Sequence, residues 1–357
     1  MRRDVRLLSK ITQLRPRFSL VSFLVFVTVF APIFGLIGQK RLWNARRIYA
    51  YQRFGAHFGS SMSLHWDARE PDQERWWDRT KALVWLEGKT PKITRISLSG
   101  GNGTIGAFPP LLDDEVNLLA YFPELEEVVI TQAEKVTDES LSVLGRLRNL
   151  KAIRLESLAN VEGKFLKSLK DSNNLTQLWL EKMPKLRGDE LEPIGSFDNL
   201  YFFKLSQCPT IREREVRAVS LPKSVISLSL TEVEIGDQAL SQWLAQCQLV
   251  TLVLDVRFSR NTAMPLASQR QLITLSIVDA PLTDEDLQFL GACPRLRSLK
   301  LDRLPIRGRF LRLIADWKMR CHVDLTTSLK DADSVSELRN YVAPDGLSGR
   351  PPWAKSK

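Results

Sequence analysis

Few residues of this 357-residue chain have side chains suited to catalysis, and they are scattered. The histidines are His57, His65 and His322. His57 and His65 lie near Asp67, but a zinc-type site needs about three or four ligands, and His322 is far away in sequence. Ordinary polar residues are the expected reading. The cysteines, Cys208, Cys247, Cys293 and Cys321, form no C-x-x-C pair. The stretch Ser99-Gly100-Gly101-Asn102-Gly103-Thr104-Ile105-Gly106 is glycine-rich, as phosphate-binding loops are. It lacks the Lys-Ser/Thr of a P-loop and opens no helix, so a flexible loop is expected. No nucleophile, metal set or cofactor site assembles from these residues. The chain is expected not to be an enzyme, with no catalytic, cofactor-binding or metal-binding residues.

The elements that would position any site follow from a repeat. The pattern L-x-x-L-x-L starts at Leu125, Leu150, Leu175, Leu200, Val225, Leu249, Leu272 and Leu296, in steps of 25, 25, 25, 25, 24, 23 and 24 residues. An earlier copy starts at Ile93, and Val323 and Leu325 fit the end of a last one. A step of about 20–29 residues with this pattern marks a leucine-rich repeat solenoid, in which a short strand and a helix alternate. The helices are expected where apolar residues recur every third position: Leu141, Leu144, Leu147; Leu191, Ile194, Phe197; Leu287, Leu290, Cys293; Leu311, Ile314, Trp317. Thr283-Asp284-Glu285-Asp286 fits a helix-capping box, and Thr137-Asp138-Glu139-Ser140 is a looser relative. Cys247 and Cys293 share one slot two repeats apart. Strands about 4.8 Å apart separate them by about 10 Å, beyond the roughly 7 Å that a disulfide spans. Free, buried thiols are expected.

Residues 18–38 read FSLVSFLVFVTVFAPIFGLIG, 21 residues without a charge. That is long enough to cross a bilayer as a helix, and too long for the apolar core of a cleaved signal peptide. Basic residues flank both sides. The six in residues 1–17 tilt the expectation toward a cytoplasmic N-terminus and repeats on the non-cytoplasmic side of the membrane. The formal charge of +10 is partly explained by these flanks. No signature of a nucleic-acid-binding module is visible, and no nucleic-acid partner is expected. The expected organisation is a basic tail (1–17), a transmembrane helix (18–38), a Trp-rich juxtamembrane segment capping the first repeat (39–92), the repeats (93–325), and a C-terminal cap with a disordered tail (326–357). Within the cap, helices are expected near 42–58 and 71–87. Ser328 to Tyr341 is expected to close the C-terminal end as a helix.

Val136-Thr137-Asp138-Glu139-Ser140-Leu141, Leu282-Thr283-Asp284-Glu285-Asp286-Leu287, Ala292-Cys293-Pro294-Arg295-Leu296 and Leu205-Ser206-Gln207-Cys208-Pro209 resemble the cysteine-containing subtype of leucine-rich repeats. One span followed by a Trp-rich cap and such repeats also resembles bacterial membrane-anchored leucine-rich repeat proteins. Gly163, Gly188 and Gly236 depart from the Thr-Asp helix start, and residues 261–266 scarcely fit. Eukaryotic relatives of the subtype include substrate receptors of ubiquitin ligases. The leucine- and proline-rich helices of that group do not precede these repeats.

The resemblance implies an α/β solenoid with a parallel sheet on its concave face and helices on its convex face. Alternate strand residues face outward. Reading the third, fifth and seventh positions of successive repeats gives Ala152, Arg154, Glu156; Gln177, Trp179, Glu181; Phe202, Lys204, Ser206; Ser227, Ser229, Thr231; and Thr251, Val253, Asp255. Trp179 and Phe202 stand out, because exposed aromatics and arginine are what binding hot spots are made of. The expected partner site is Arg154, Gln177, Trp179, Phe202 and Lys204, holding a protein or peptide. A structural or glycan-binding role in the cell envelope is the alternative.

Overall fold

A computed structural model describes residues 39, 42–50, 53–54, 65–66, 93–100, 110–259, 262–306 and 322–325. The chain divides into two units, Met1–Tyr49 and Ala50–Lys357. In the first, residues 42–49 are helical and the Arg47 guanidinium lies 5.4 Å from the centre of the Trp43 ring. The segments 18–38, 71–87 and 328–341, the glycine loop after Gly100, and Cys321 lie outside the described residues. Among the described residues, no helix is long and apolar enough to cross a membrane.

The second unit is built on one eleven-stranded sheet whose strand order follows the sequence. The strands are β1 (His65–Trp66), β2 (Ile93–Ser99), β3 (Glu127–Thr131), β4 (Ala152–Glu156), β5 (Gln177–Glu181), β6 (Phe202–Ser206), β7 (Ser227–Thr231), β8 (Thr251–Asp255), β9 (Thr274–Val278), β10 (Ser298–Asp302) and β11 (His322–Asp324). β1 pairs antiparallel with β2, and every later pairing is parallel and in register. The apolar positions of the repeat build the core. Leu150, Ile153 and Leu155, then Leu175, Leu178 and Leu180, then Leu200, Phe203 and Leu205 are 0–1% exposed. Each such side chain contributes roughly 1.5–3 kcal/mol by leaving water.

Behind the strands, the described connecting segments are helical as expected, but they divide between short α-helices (Asp113–Asn117, Asp138–Leu141, Glu213–Val216, Asp237–Gln246 and Ala263–Ala267) and 3-10 turns. The 3-10 turns include Ser142–Arg146, Lys164–Leu169, Asp189–Ser196 and Asp286–Ala292. The cause was present in the spacing. Apolar residues every third position match the 3.0 residues per turn of a 3-10 helix, not the 3.6 of an α-helix. Leu141, Leu144 and Leu147 are all buried on that period. Geometry favours it too. Strands stack about 4.8 Å apart, and an α-helix about 10–12 Å wide behind each strand would splay the repeats more than a slimmer turn does. The longest described helix, Asp237–Gln246, carries the other pattern: Leu240, Trp243, Leu244 and Cys247, at i, i+3, i+4 and i+7, are all buried.

Polar ladders join the repeats. Asn149, Asn174 and Asn199 stand 25 residues apart, and their side-chain amides donate to Pro123 O, Arg148 O and Asn173 O at 2.9, 2.8 and 2.6 Å. The Asp138 carboxylate accepts the backbone N–H groups of Glu162, Gly163 and Phe165 at 2.7–3.1 Å, so it caps the next repeat instead of its own helix. Thr137 in turn donates its N–H and hydroxyl to Asp113, both at 2.8 Å. The box expected at Thr283 forms only in half: the Asp286 carboxylate accepts the Thr283 N–H at 2.7 Å and its hydroxyl at 2.8 Å, while the Asp286 N–H donates to the Thr283 carbonyl and not to its hydroxyl. The residue after the strand is left-handed at Gln132, Ser157, Lys182, Gln207, Glu232, Asp279 and Arg303.

Turns pack closely where a glycine faces the next repeat. A Cβ on Gly145 would stand 2.2 Å from the Ser168 carbonyl oxygen. Gly145→Ala must therefore push two repeats apart. We expect a loss of about 1–3 kcal/mol, the ordinary cost of overpacking. It would be read as a lower urea midpoint by circular dichroism; an unchanged midpoint would mean that this contact relaxes freely.

Candidate functional site

The outward positions of the strands form one open face. Burial alternates through the middle of each strand: in β5, Leu178 and Leu180 are fully buried while Gln177 and Trp179 are partly exposed, but Ala152, Glu181 and Ser206, expected on the outward face, are buried beneath their neighbours. In β6, Phe203 is buried and Phe202 and Lys204 are partly exposed. The register is therefore the one expected, and neither Trp179 nor Phe202 points into the core.

Pairing brings the expected residues together. Arg154, Trp179 and Lys204 are aligned on β4, β5 and β6, with Gln177 aligned to Phe202 one step earlier. Trp179 and Phe202 meet diagonally, ring centres 4.7 Å apart and planes tilted by 36°. Gln177 donates its amide to the Tyr201 hydroxyl, a contact the sequence reading missed.

Charges surround the rings as a compensated network. Glu181 accepts from Lys204 Nζ at 2.8 Å and lies 3.9 Å from the Arg154 guanidinium. Glu156 accepts from Arg154 at 3.2 Å and from Lys182 at 2.9 Å. The Lys182 hydrogen bond holds the Glu156 carboxyl below its usual range against the opposing effect of partial burial, with Arg154 adding to it. Farther along, Arg95 bonds Glu127. The field of this face thus alternates in sign. On β7, β8 and β9 the first two outward residues of each strand are small and uncharged, Ser227 and Ser229, Thr251 and Val253, and Thr274 and Ser276, while charge returns at Asp255 and at Lys300 of β10.

Cys208, Cys247 and Cys293 are buried free thiols. Burial raises each to about 11. Few are thiolates at neutral pH, and the thiolate is the reactive form. In a Cys321→Ser variant, we expect Ellman's reagent at pH 8 to leave the folded protein unlabelled and to label the remaining three cysteines only after denaturation. Rapid labelling of the folded state would contradict this burial. Among the described residues, no group of three or more His, Cys, Asp or Glu is placed to hold a metal ion.

No protein-family model and no curated protein matches the chain. Solved structures do. An internalin (inlF) of Listeria monocytogenes is 12% identical, with TM-score 0.40 over 66% of this chain and 70% of that one. Internalin C2 of the same bacterium is 16% identical, with TM-score 0.35 over 66% and 81%. A TLR13–ssRNA13 complex is 20% identical with TM-score 0.39; the match covers 55% of this chain and only 28% of the TLR13 chain. Overlays this loose carry nothing about ligands. The fold rests on the molecule itself: a repeat of 23–25 residues, one parallel strand per repeat, and a leucine core in register. On those grounds the chain is a leucine-rich repeat solenoid.

Proposed function

We propose that this protein is a membrane-anchored interaction scaffold that holds a protein or peptide on the concave face of its repeats. The observation that carries the reading is the Trp179–Phe202 pair, in ring contact on an open sheet face with Arg154 on the adjacent β4 and Lys204 beside Phe202 on β6. Large aromatics beside arginine are the side chains that dominate binding energy at interfaces. Paired charges of both signs favour an orienting, electrostatically matched partner. They disfavour nucleic acid, which needs a sustained positive track. Anchoring is read from the uncharged residues 18–38, with the repeats on the non-cytoplasmic side. Carbonate-resistant membrane association, and protease access to the repeats from that side, are the outcomes it requires.

The test is a crosslinking pull-down from native membranes, comparing wild type with Trp179→Ala/Phe202→Ala. A partner lost by the folded double variant supports the reading, and a partner retained by both overturns it. A second reading, a glycan ligand, is supported by the run of serine and threonine side chains on β7, β8 and β9 beside the aromatic pair. A glycan array separates the two.

A further inference from the structure

The residue preceding each strand forms a second row, along the edge where the strands begin. Backbone bonds set these residues side by side. The Tyr201 N–H donates to Thr176 O at 2.9 Å, Ile226 to Tyr201 O at 3.0 Å, Val250 to Ile226 O at 2.7 Å, Ile273 to Val250 O at 2.8 Å and Arg297 to Ile273 O at 2.8 Å. Tyr201, Ile226 and Ile273 are 39%, 43% and 36% exposed, half of the six exposed large hydrophobics among the described residues. At roughly 4.8 Å per strand, Tyr201, Ile226, Val250 and Ile273 make an apolar strip about 15 Å long. Single exposed apolar residues are ordinary, but a contiguous set marks an interaction surface. The strip meets the concave aromatic pair at Tyr201, whose hydroxyl accepts from Gln177.

Charge gives the strip a preference. The segments along this edge, 193–202, 218–227, 244–251, 266–274 and 291–298, contain Lys223, Arg270, Arg295 and Arg297 against a single acidic residue, Asp198 beside Tyr201. All four cations are exposed. The opposite edge, where the strands end, carries Glu232, Asp255, Asp279 and Asp302 on consecutive repeats, interleaved with Arg257 and with Arg303, which lies 3.9 Å from Asp255. An acidic approaching chain is therefore drawn to the leading edge in preference to the trailing one.

We infer that the strip Tyr201–Ile226–Val250–Ile273, with its basic border, docks an acidic, apolar polypeptide segment of the partner protein. The inference rests on the reading that the repeats hold a protein ligand, and it adds the edge and the chemistry. Three of the four strip residues are aliphatic and offer no stacking planes for bases.

A random dodecapeptide display library, selected on the full chain in zwitterionic nanodiscs, tests it. The enriched peptides are expected to combine aliphatic or aromatic residues with net negative charge. A labelled representative should bind roughly tenfold or more weakly to Ile226→Ser/Ile273→Ser and to Lys223→Glu/Arg297→Glu, each at an interface hot spot, with unchanged circular dichroism. Neutral or basic winners, no enrichment, affinity indifferent to the edge variants, or Ile226- and Ile273-dependent binding to anionic vesicles would each overturn the inference. Binding lost in Trp179→Ala/Phe202→Ala but kept in the edge variants would leave the concave-face reading standing and remove this one. Binding lost only in the edge variants would do the reverse.

Discussion

Replacing Trp179 and Phe202 together by alanine is expected to weaken the partner by roughly a hundredfold or more, since hot-spot truncations cost about 2 kcal/mol or more each. The two rings touch at 4.7 Å, so each presents the other to the ligand. Neighbours of this kind do not add independently, and either single substitution should remove more than half of the combined effect. Stability should hardly change, because both side chains lie on the open side of the sheet. Titration of the captured partner against each variant, with thermal melts alongside, reads both quantities. Full affinity in the folded double variant would place binding elsewhere.

The largest effect on folding is expected at Trp243. It is 0% exposed, it donates its indole N–H to Val219 O at 2.8 Å, and its ring meets Phe203 edge-on at 6.4 Å. It therefore ties the longest described helix to the preceding repeat and to the back of β6. Trp243→Ala leaves a cavity and an unsatisfied carbonyl, and should cost about 3–5 kcal/mol. Neighbouring repeats supply most of each repeat's stability, so the loss should spread to β7 and β8 before it reaches β3 and β4. Hydrogen exchange resolves this order. Uniform loss of protection along the sheet would show that the solenoid unfolds as one unit instead.

The strand register was legible in the sequence because a strand's period is two and its apolar set is nearly all leucine. A slip of one residue would have buried Arg154 and Lys204, which nothing inside could neutralise. The turns were legible only in part. Leu287-Leu290-Cys293 reads as an α-helix to anyone looking for an apolar face, yet its strict period of three matches the tighter 3-10 turn found there. The asparagine ladder at Asn149, Asn174 and Asn199 was equally periodic but lay between the apolar positions. The left-handed residues after the strands could not have been found, because Gln132, Ser157, Lys182 and Glu232 share no chemistry. That position is set by the bond each makes to the next strand, as from Lys182 N–H to Ser206 O at 2.9 Å. The exposed row through Ile226 and Ile273 escaped notice for another reason. Apolar residues beside a leucine motif read as more core, and only the solvent exposure of the folded chain separates the two.

The most direct test of the central claim is placement of a photo-crosslinking amino acid at single sites in the full chain, in native cells. At Gln177, on the open face of the sheet, it should yield a discrete adduct, suppressed by Trp179→Ala. At Glu192, exposed on the Asp189–Ser196 turn of the convex side, it should yield none. An adduct from Glu192 alone, or adducts of equal yield from both positions, would contradict a partner seated on the sheet.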